Sequence, residues 1–173
     1  MGKIVDNGHL QQGFKPVHWC LDCASALAEA EVEYEDKTSP AIDVAFPVVD
    51  VADFVARSGI EASAPALVIW TTTPWTLPAN RAVAVHPELD YVLLSGEQDG
   101  VARELLVAEA LADDLVARWG LEKVARSATV TGRKLEMMAL QHPFLEAQVP
   151  VIFGEHVTTD AGTGLVHTAP GHG

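Results

Sequence analysis

The apolar run at 66–70 stops abruptly in three threonines and a proline, ThrThrThrPro, and this junction constrains the fold more than any other stretch of the chain. Five consecutive apolar residues leave no polar side for water, so the run suits a strand covered on both faces. Pro74 has no N–H to give to a ladder, so the strand must end there. Four threonine hydroxyls, at Thr71, Thr72, Thr73 and Thr76, are left beside that end, each able to donate and accept. Pro74 and Pro78 restrict the loop, so its hydroxyls and N–H groups are held in place before a ligand arrives. Preorganised neutral donors of this kind suit an oxyanion or a sugar hydroxyl. Thr is also a good strand residue, and for one threonine that reading suffices. Four in six positions, followed by Asn80, point to a binding loop.

The rest of the chain reads as many short strands with few helices. Extended segments are expected at 42–48, 82–85, 91–94, 128–130, 149–153 and 165–168. Asp50 reads as a helix N-cap with Gly59 past the helix end, and 109–119 reads as a helix stopped by Gly120. A short helix is expected at 25–30, a half-buried strand around Val32 and Tyr34, and a polar linker over 1–13. The fold class is therefore α+β, an antiparallel β-barrel core with a few short helices. With 173 residues and 49 % hydrophobic content, the chain can bury a core and is not disordered.

The formal net charge of −13 argues against a general nucleic-acid binder, which needs clustered Lys and Arg on phosphates. Any contact with nucleic acid is then expected at a strand end, or through other domains. No apolar run approaches the ~20 residues of a membrane-spanning helix. The first residues lack the apolar core of a secretory signal. A cytoplasmic protein without membrane contact is the expectation.

A second motif, AspAlaGlyThrGlyLeuValHisThrAlaProGlyHisGly, fills 160–173. Gly162 and Gly164 permit close backbone approach or positive φ before a short strand that ends at His167 and Thr168. His167 can serve as general base, donor to substrate or pocket wall, although a lone histidine in an apolar strand is more often structural. Neither glycine-rich phosphate motif is present, and His167 with His172 makes no recognisable metal pattern. The pair Cys20 and Cys23 in HisTrpCysLeuAspCys leaves three readings: half a zinc site, a redox pair, or two small packing residues. Only His18 and Asp22 stand near it, short of what zinc wants, and no bound metal is expected.

Taken together, KPVHWC at 15–20, SALAEAEVEY at 25–34, WTTTPWTLPANRA at 70–82 and GTGLVHTAPGHG at 162–173 resemble the isoleucyl-tRNA synthetase family, in the family's own order and over nearly the whole chain. The valyl and leucyl relatives carry a Thr-Thr-Arg-Pro loop and a Pro-Ala-His-Asp ending instead. The resemblance implies the editing domain inserted into the catalytic domain of such an enzyme, with 1–20 a linker from that catalytic domain and 21–173 the editing domain, cut short at its C-terminal edge. It implies hydrolysis of valine wrongly esterified to tRNA(Ile), with no metal and no cofactor. A pocket rejects a ligand one methylene smaller by only ~1–3 kcal/mol, a magnitude known from isoleucyl-tRNA synthetases themselves, so a second, smaller hydrolytic pocket is needed.

The resemblance further implies a catalytic set of Thr71, Thr72, Thr73 and His167, the last helping to exclude isoleucine. Trp75, Thr76 and Asn80, with Thr168 and Gly164 from the terminal motif, make the expected substrate-binding set. The implied partners are the 3′-terminal aminoacyl-adenosine of tRNA(Ile) and the catalytic domain of the same full-length enzyme. The family's acidic residue that holds the substrate α-ammonium lies just beyond HTAPGHG, past Gly173. Slow editing is therefore expected of this stretch alone, and the alternative is a module that binds the tRNA end with little or no catalysis.

Overall fold

The computed structural model describes residues 2–10, 13–14, 17–36 and 38–172. Lys15 and Pro16 of the first motif and Gly173 of the last lie outside them. The chain divides into two compact units, Met1–Thr38 and Ser39–Gly173.

In the first unit the stretch expected as a linker contains a short helix, α1 (Gly2–Asp6), with no buried residue. Strands β1 (His18–Cys20) and β2 (Ser25–Leu27) pair antiparallel, Cys20 opposite Ser25. The expected helix at 25–30 is thus a strand followed by a 3-10 turn, Glu29–Glu31. Ala24, at φ 51°, closes the hairpin, and cross-strand pairing overrides the helix preference of Ala and Leu. Val32 is extended, but neither it nor Tyr34 belongs to a strand, and Tyr34 is exposed.

The second unit opens with β3 (Ile42–Pro47) and α2 (Val51–Ser58). Asp50 caps α2, accepting from the Asp53 N–H at 2.9 Å, and Gly59, at φ 76°, ends it as expected. Strand β4 (Pro65–Thr71) is the apolar run. A 3-10 segment, Pro74–Ala79, leads into β5 (Ala82–Val85), β6 (Asp90–Gln98) and β7 (Val101–Ala108). Then come α3 (Ala112–Trp119), β8 (Glu122–Arg126), β9 (Val130–Thr131), β10 (Ala139–Gln141), β11 (Gln148–Phe153) and β12 (Leu165–Thr168).

The strands of the second unit form two sheets. One runs β3-β4-β7-β6-β8 with β9 added to β6, and the other runs β10-β11-β5-β12. The α+β class stands. Most pairings are antiparallel, as expected, and two are parallel, β4 with β7 and β5 with β11. Side-chain alternation carries no record of strand direction, so these pairings were invisible in the sequence. A single bridge among the described residues, Val48 with Leu140, joins the sheets, so the second unit holds two linked sheets.

Packing explains the apolar run. Leu67 and Ile69 of β4 point into the core between the sheets, with Phe46, Val83, Val85, Leu93, Leu106 and Leu165. Ala66 and Val68 point the other way, with Val92, Leu94, Leu105 and Val107, under α3 and its Leu115. Both faces of β4 are covered, so no position along it tolerates a polar residue until Thr71. At roughly 25 cal/mol per Å², such burial is what holds the sheet to its helix. No helix among the described residues is long and apolar enough to cross a membrane.

Candidate functional site: a threonine and histidine cleft

A cleft of about 430 Å³ opens where the end of β4 and its loop meet β12. Its lining includes Thr71, Thr73, Thr76, His167 and Thr168, so five of the expected site residues converge. Such a volume falls within the ~300–1,000 Å³ of small-molecule sites. Trp70, His156, Val166, Ala169 and His172 complete the lining and are not among the expected residues. Trp70 and Val166 are neighbours of residues that were. His156 sits in a turn after β11 with no motif to flag it, and only the parallel pairing of β11 with β5 brings it here.

The loop is built from its own hydroxyls. Thr71, 6 % exposed, accepts from the Thr73 N–H at 3.1 Å, and the two hydroxyls lie 3.2 Å apart. The Thr76 hydroxyl donates to the Thr73 carbonyl at 2.8 Å, and the Thr76 N–H donates to the same carbonyl at 3.0 Å. These bonds close the first turn of the 3-10 segment that Pro74 starts.

The bonding fixes the state of His167. Asn80, 4 % exposed, donates its Nδ2 to the Ala82 carbonyl at 2.9 Å, which only accepts and so sets the amide orientation. The same Nδ2 lies 3.2 Å from His167 Nδ1, which must therefore accept. The proton sits on Nε2, 2.9 Å from the Thr76 hydroxyl, whose own hydrogen goes to Thr73. His167 is thus neutral with both ring nitrogens engaged. Burial lowers its pKa below the ordinary 6.5, and His172 nearby lowers it further. Asn80 Oδ1 has no protein donor among the described residues.

The remaining expected residues lie elsewhere. Thr72 is exposed beside the cleft and Trp75 is 66 % exposed, and neither lines it. Asn80 stands behind His167. The structure does not bring Gly164 to the cleft: it is buried, its φ is 76°, and a Cβ there would overlap that of Ala108. Its carbonyl accepts from the Tyr91 hydroxyl at 3.0 Å.

In the first unit Cys20 and Cys23 are free thiols, Cys23 exposed. The Cys23 N–H points at Cys20 Sγ at 3.3 Å and lowers the Cys20 pKa. No group of three His, Cys, Asp or Glu placed to hold a metal occurs among the described residues.

Residues 1–156 match the family model of class I tRNA synthetases (I, L, M and V). The whole chain is 92 % identical to part of isoleucine–tRNA ligase from Alcanivorax borkumensis and 58 % identical, over 175 aligned residues, to that of Shewanella amazonensis. It spans 18 % and 19 % of their lengths, about a fifth of the curated relatives it matches. Among solved structures, the editing domain of the P. knowlesi cytosolic leucyl-tRNA synthetase superposes with a TM-score of 0.64 at 12 % identity, over 80 % of this chain and 62 % of that one. The P. falciparum counterpart gives 0.62 at 11 %, over 73 % and 60 %. The fold is that of these editing domains, and the chain belongs to the class I tRNA synthetases (I, L, M and V).

Proposed function

We propose that residues 21–173 are the editing domain of an isoleucine–tRNA ligase, reached through a linker at 1–20, and hydrolyse valine wrongly esterified to tRNA(Ile). The observation that carries this is the cleft in which Thr71, Thr73 and Thr76 face His167 and Thr168. Its partners would be the 3′-terminal aminoacyl-adenosine and the catalytic domain of the same enzyme, in the cytoplasm.

The reaction needs a water oxygen to add to the ester carbonyl carbon. The carbon–oxygen bond to the ribose then breaks, and the water's proton ends on the departing ribose oxygen. The Thr71–Thr73 hydroxyl pair supplies a neutral donor for the carbonyl oxygen as it gains charge, since the Thr76 hydroxyl and the Thr73 and Thr76 N–H groups already donate within the loop. Its contribution rests on being fixed beforehand, as the bonds among Thr71, Thr73 and Thr76 fix it. His167, with both nitrogens engaged, acts as a wall that limits the acyl group rather than as a base. The neighbouring ribose hydroxyl is the group left to relay the proton. Thr72 and Trp75, exposed next in sequence to lining threonines, would meet the adenosine. Asn80 holds His167, and Gly164 supports β12 from behind.

The test is deacylation of Val-tRNA(Ile) and Ile-tRNA(Ile) by the full-length ligase that carries this chain. Valyl ester should be lost and isoleucyl ester spared, and Thr73→Val with Thr76→Val should abolish the difference. Tight binding of the valyl ester without turnover would replace hydrolysis with the binding-module reading.

A further inference from the structure

A buried histidine outside the cleft bonds directly to the segment that forms it. His142, 2 % exposed, sits at the tip of the β10–β11 hairpin. Its ring packs edge-on against Phe46 and Phe144, with centroids 6.0 and 4.6 Å apart. Both nitrogens are used. Nδ1 lies 3.2 Å from the Leu145 N–H and 3.4 Å from the Phe144 N–H, which only donate. Nε2 lies 3.0 Å from the Leu77 carbonyl, which only accepts. The ring is therefore neutral with its proton on Nε2.

Leu77 belongs to the 3-10 segment Pro74–Ala79. Its carbonyl also accepts from the Asn80 N–H at 2.9 Å. The bonds then run on without a gap: Asn80 Nδ2 to His167 Nδ1, and His167 Nε2 to the Thr76 hydroxyl. From the hairpin tip to the cleft wall every donor meets an acceptor, and every step is set by groups with one possible role.

We infer that His142 is a positioning residue for the editing cleft: through the Leu77 carbonyl it sets where Asn80 stands, and so the tautomer and place of His167. This rests on the proposed editing function, since it assigns a role within that site. Misplacement of a site by about 1 Å from such a distance can cost on the order of a hundredfold in rate.

Two variants separate positioning from mere support. In His142→Gln the amide nitrogen stands where Nε2 stood and still donates to Leu77, while the hairpin N–H groups lose their acceptor. In His142→Asn the amide oxygen stands where Nδ1 stood and the hairpin keeps its cap, while Leu77 loses its donor. Positioning requires Val-tRNA(Ile) deacylation in the full-length ligase to fall by at least about tenfold in His142→Asn and to stay within about threefold in His142→Gln, chiefly in kcat. Losses that instead follow the drop in melting temperature of each variant, or spare both, overturn it.

Ring nitrogen NMR of His167 gives a reading free of the reaction. The Nε2-protonated form should persist in His142→Gln and become a mixture of tautomers in His142→Asn. A His167 signal indifferent to both variants overturns the inference. A wild-type enzyme that fails to deacylate while His167 responds in this way overturns the functional proposal and leaves the clamp standing.

Discussion

Two segments meet at the cleft and become rigid by opposite means. Thr71–Asn80 is held by hydrogen bonds among its own side chains and to His167. The approach to β12 is held by steric fit: Gly164 presses against Ala108, and the Tyr91 hydroxyl bridges the Gly164 carbonyl and the His86 N–H, at 3.0 and 2.9 Å. A hydroxyl loop keeps polar groups near the surface where a substrate can compete for them. A glycine seated in the core cannot exchange partners at all. The difference separates the face that meets a ligand from the one that holds the site still.

The largest expected effect tests the steric side. Gly164→Ala places a methyl onto Ala108 at positive φ, and should cost about 2–4 kcal/mol, overpacking and backbone strain together. Gly59→Ala, with φ 76° and no atom within 4 Å, carries the strain alone and should cost only about 1 kcal/mol. Denaturant unfolding of the two variants measures the gap, and equal losses would mean that the Ala108 contact is not what fixes β12.

Tyr91→Phe comes next. It strands a half-buried N–H and a buried carbonyl, worth about 1–3 kcal/mol by the same unfolding assay. Burial also pushes the Tyr91 pKa up to about 12. An unfolded tyrosine ionises near 10, so the folded state, which keeps its proton, should lose stability as pH rises from about 10 toward 12. That alkaline slope should vanish in the Phe variant.

On the hydrogen-bonded side the sign is reversed. The His167 pKa is lowered, chiefly by burial and then by His172. Above the ordinary 6.5 both folded and unfolded chains hold it neutral, and stability is complete. As pH falls below that, the unfolded chain takes up the proton first, so stability declines until the folded pKa is reached. Protonation of Nδ1 would also set it against Asn80 Nδ2, so the loop should loosen in the same window. Unfolding free energies of wild type and His167→Gln across that range give the slope and its loss.

Much of this was legible in the residues. The strand at 66–70 declared itself because both its faces are apolar, and α2 because Asp50 and Gly59 mark its ends. Strands β7 and β8 were not, since Arg103, Glu104, Glu122 and Lys123 break any apolar alternation and are tolerated by the strands' exposed positions. The threonine loop and His167 stand out in the sequence because hydroxyls beside a proline have a chemical use, and the fold brings them to one cleft. Gly164 packs against Ala108 and does not line the cleft, a distinction the sequence hides because a glycine needed for packing and one needed for a ligand look the same in one dimension. His156 and His142 reach the site through tertiary pairing alone, and a single sequence holds no trace of that.

The smallest effect is the sharpest test of the division between the two kinds of threonine. Thr76 is 6 % exposed, donates to Thr73 and accepts from His167, so Thr76→Val removes a bond at each end and should cost about 1–3 kcal/mol of stability. Thr72 is exposed and makes no such bond, so Thr72→Val should change stability by less than about 0.5 kcal/mol. If the loop's free hydroxyls exist for a substrate, the order inverts in function, and Thr72→Val still slows Val-tRNA(Ile) deacylation despite an unchanged unfolding curve. A Thr72→Val enzyme that edits at the wild-type rate would confine the working hydroxyls to the three that line the cleft. A hydroxyl that costs nothing to remove from the fold and something to remove from the reaction is one whose partner arrives only with the substrate.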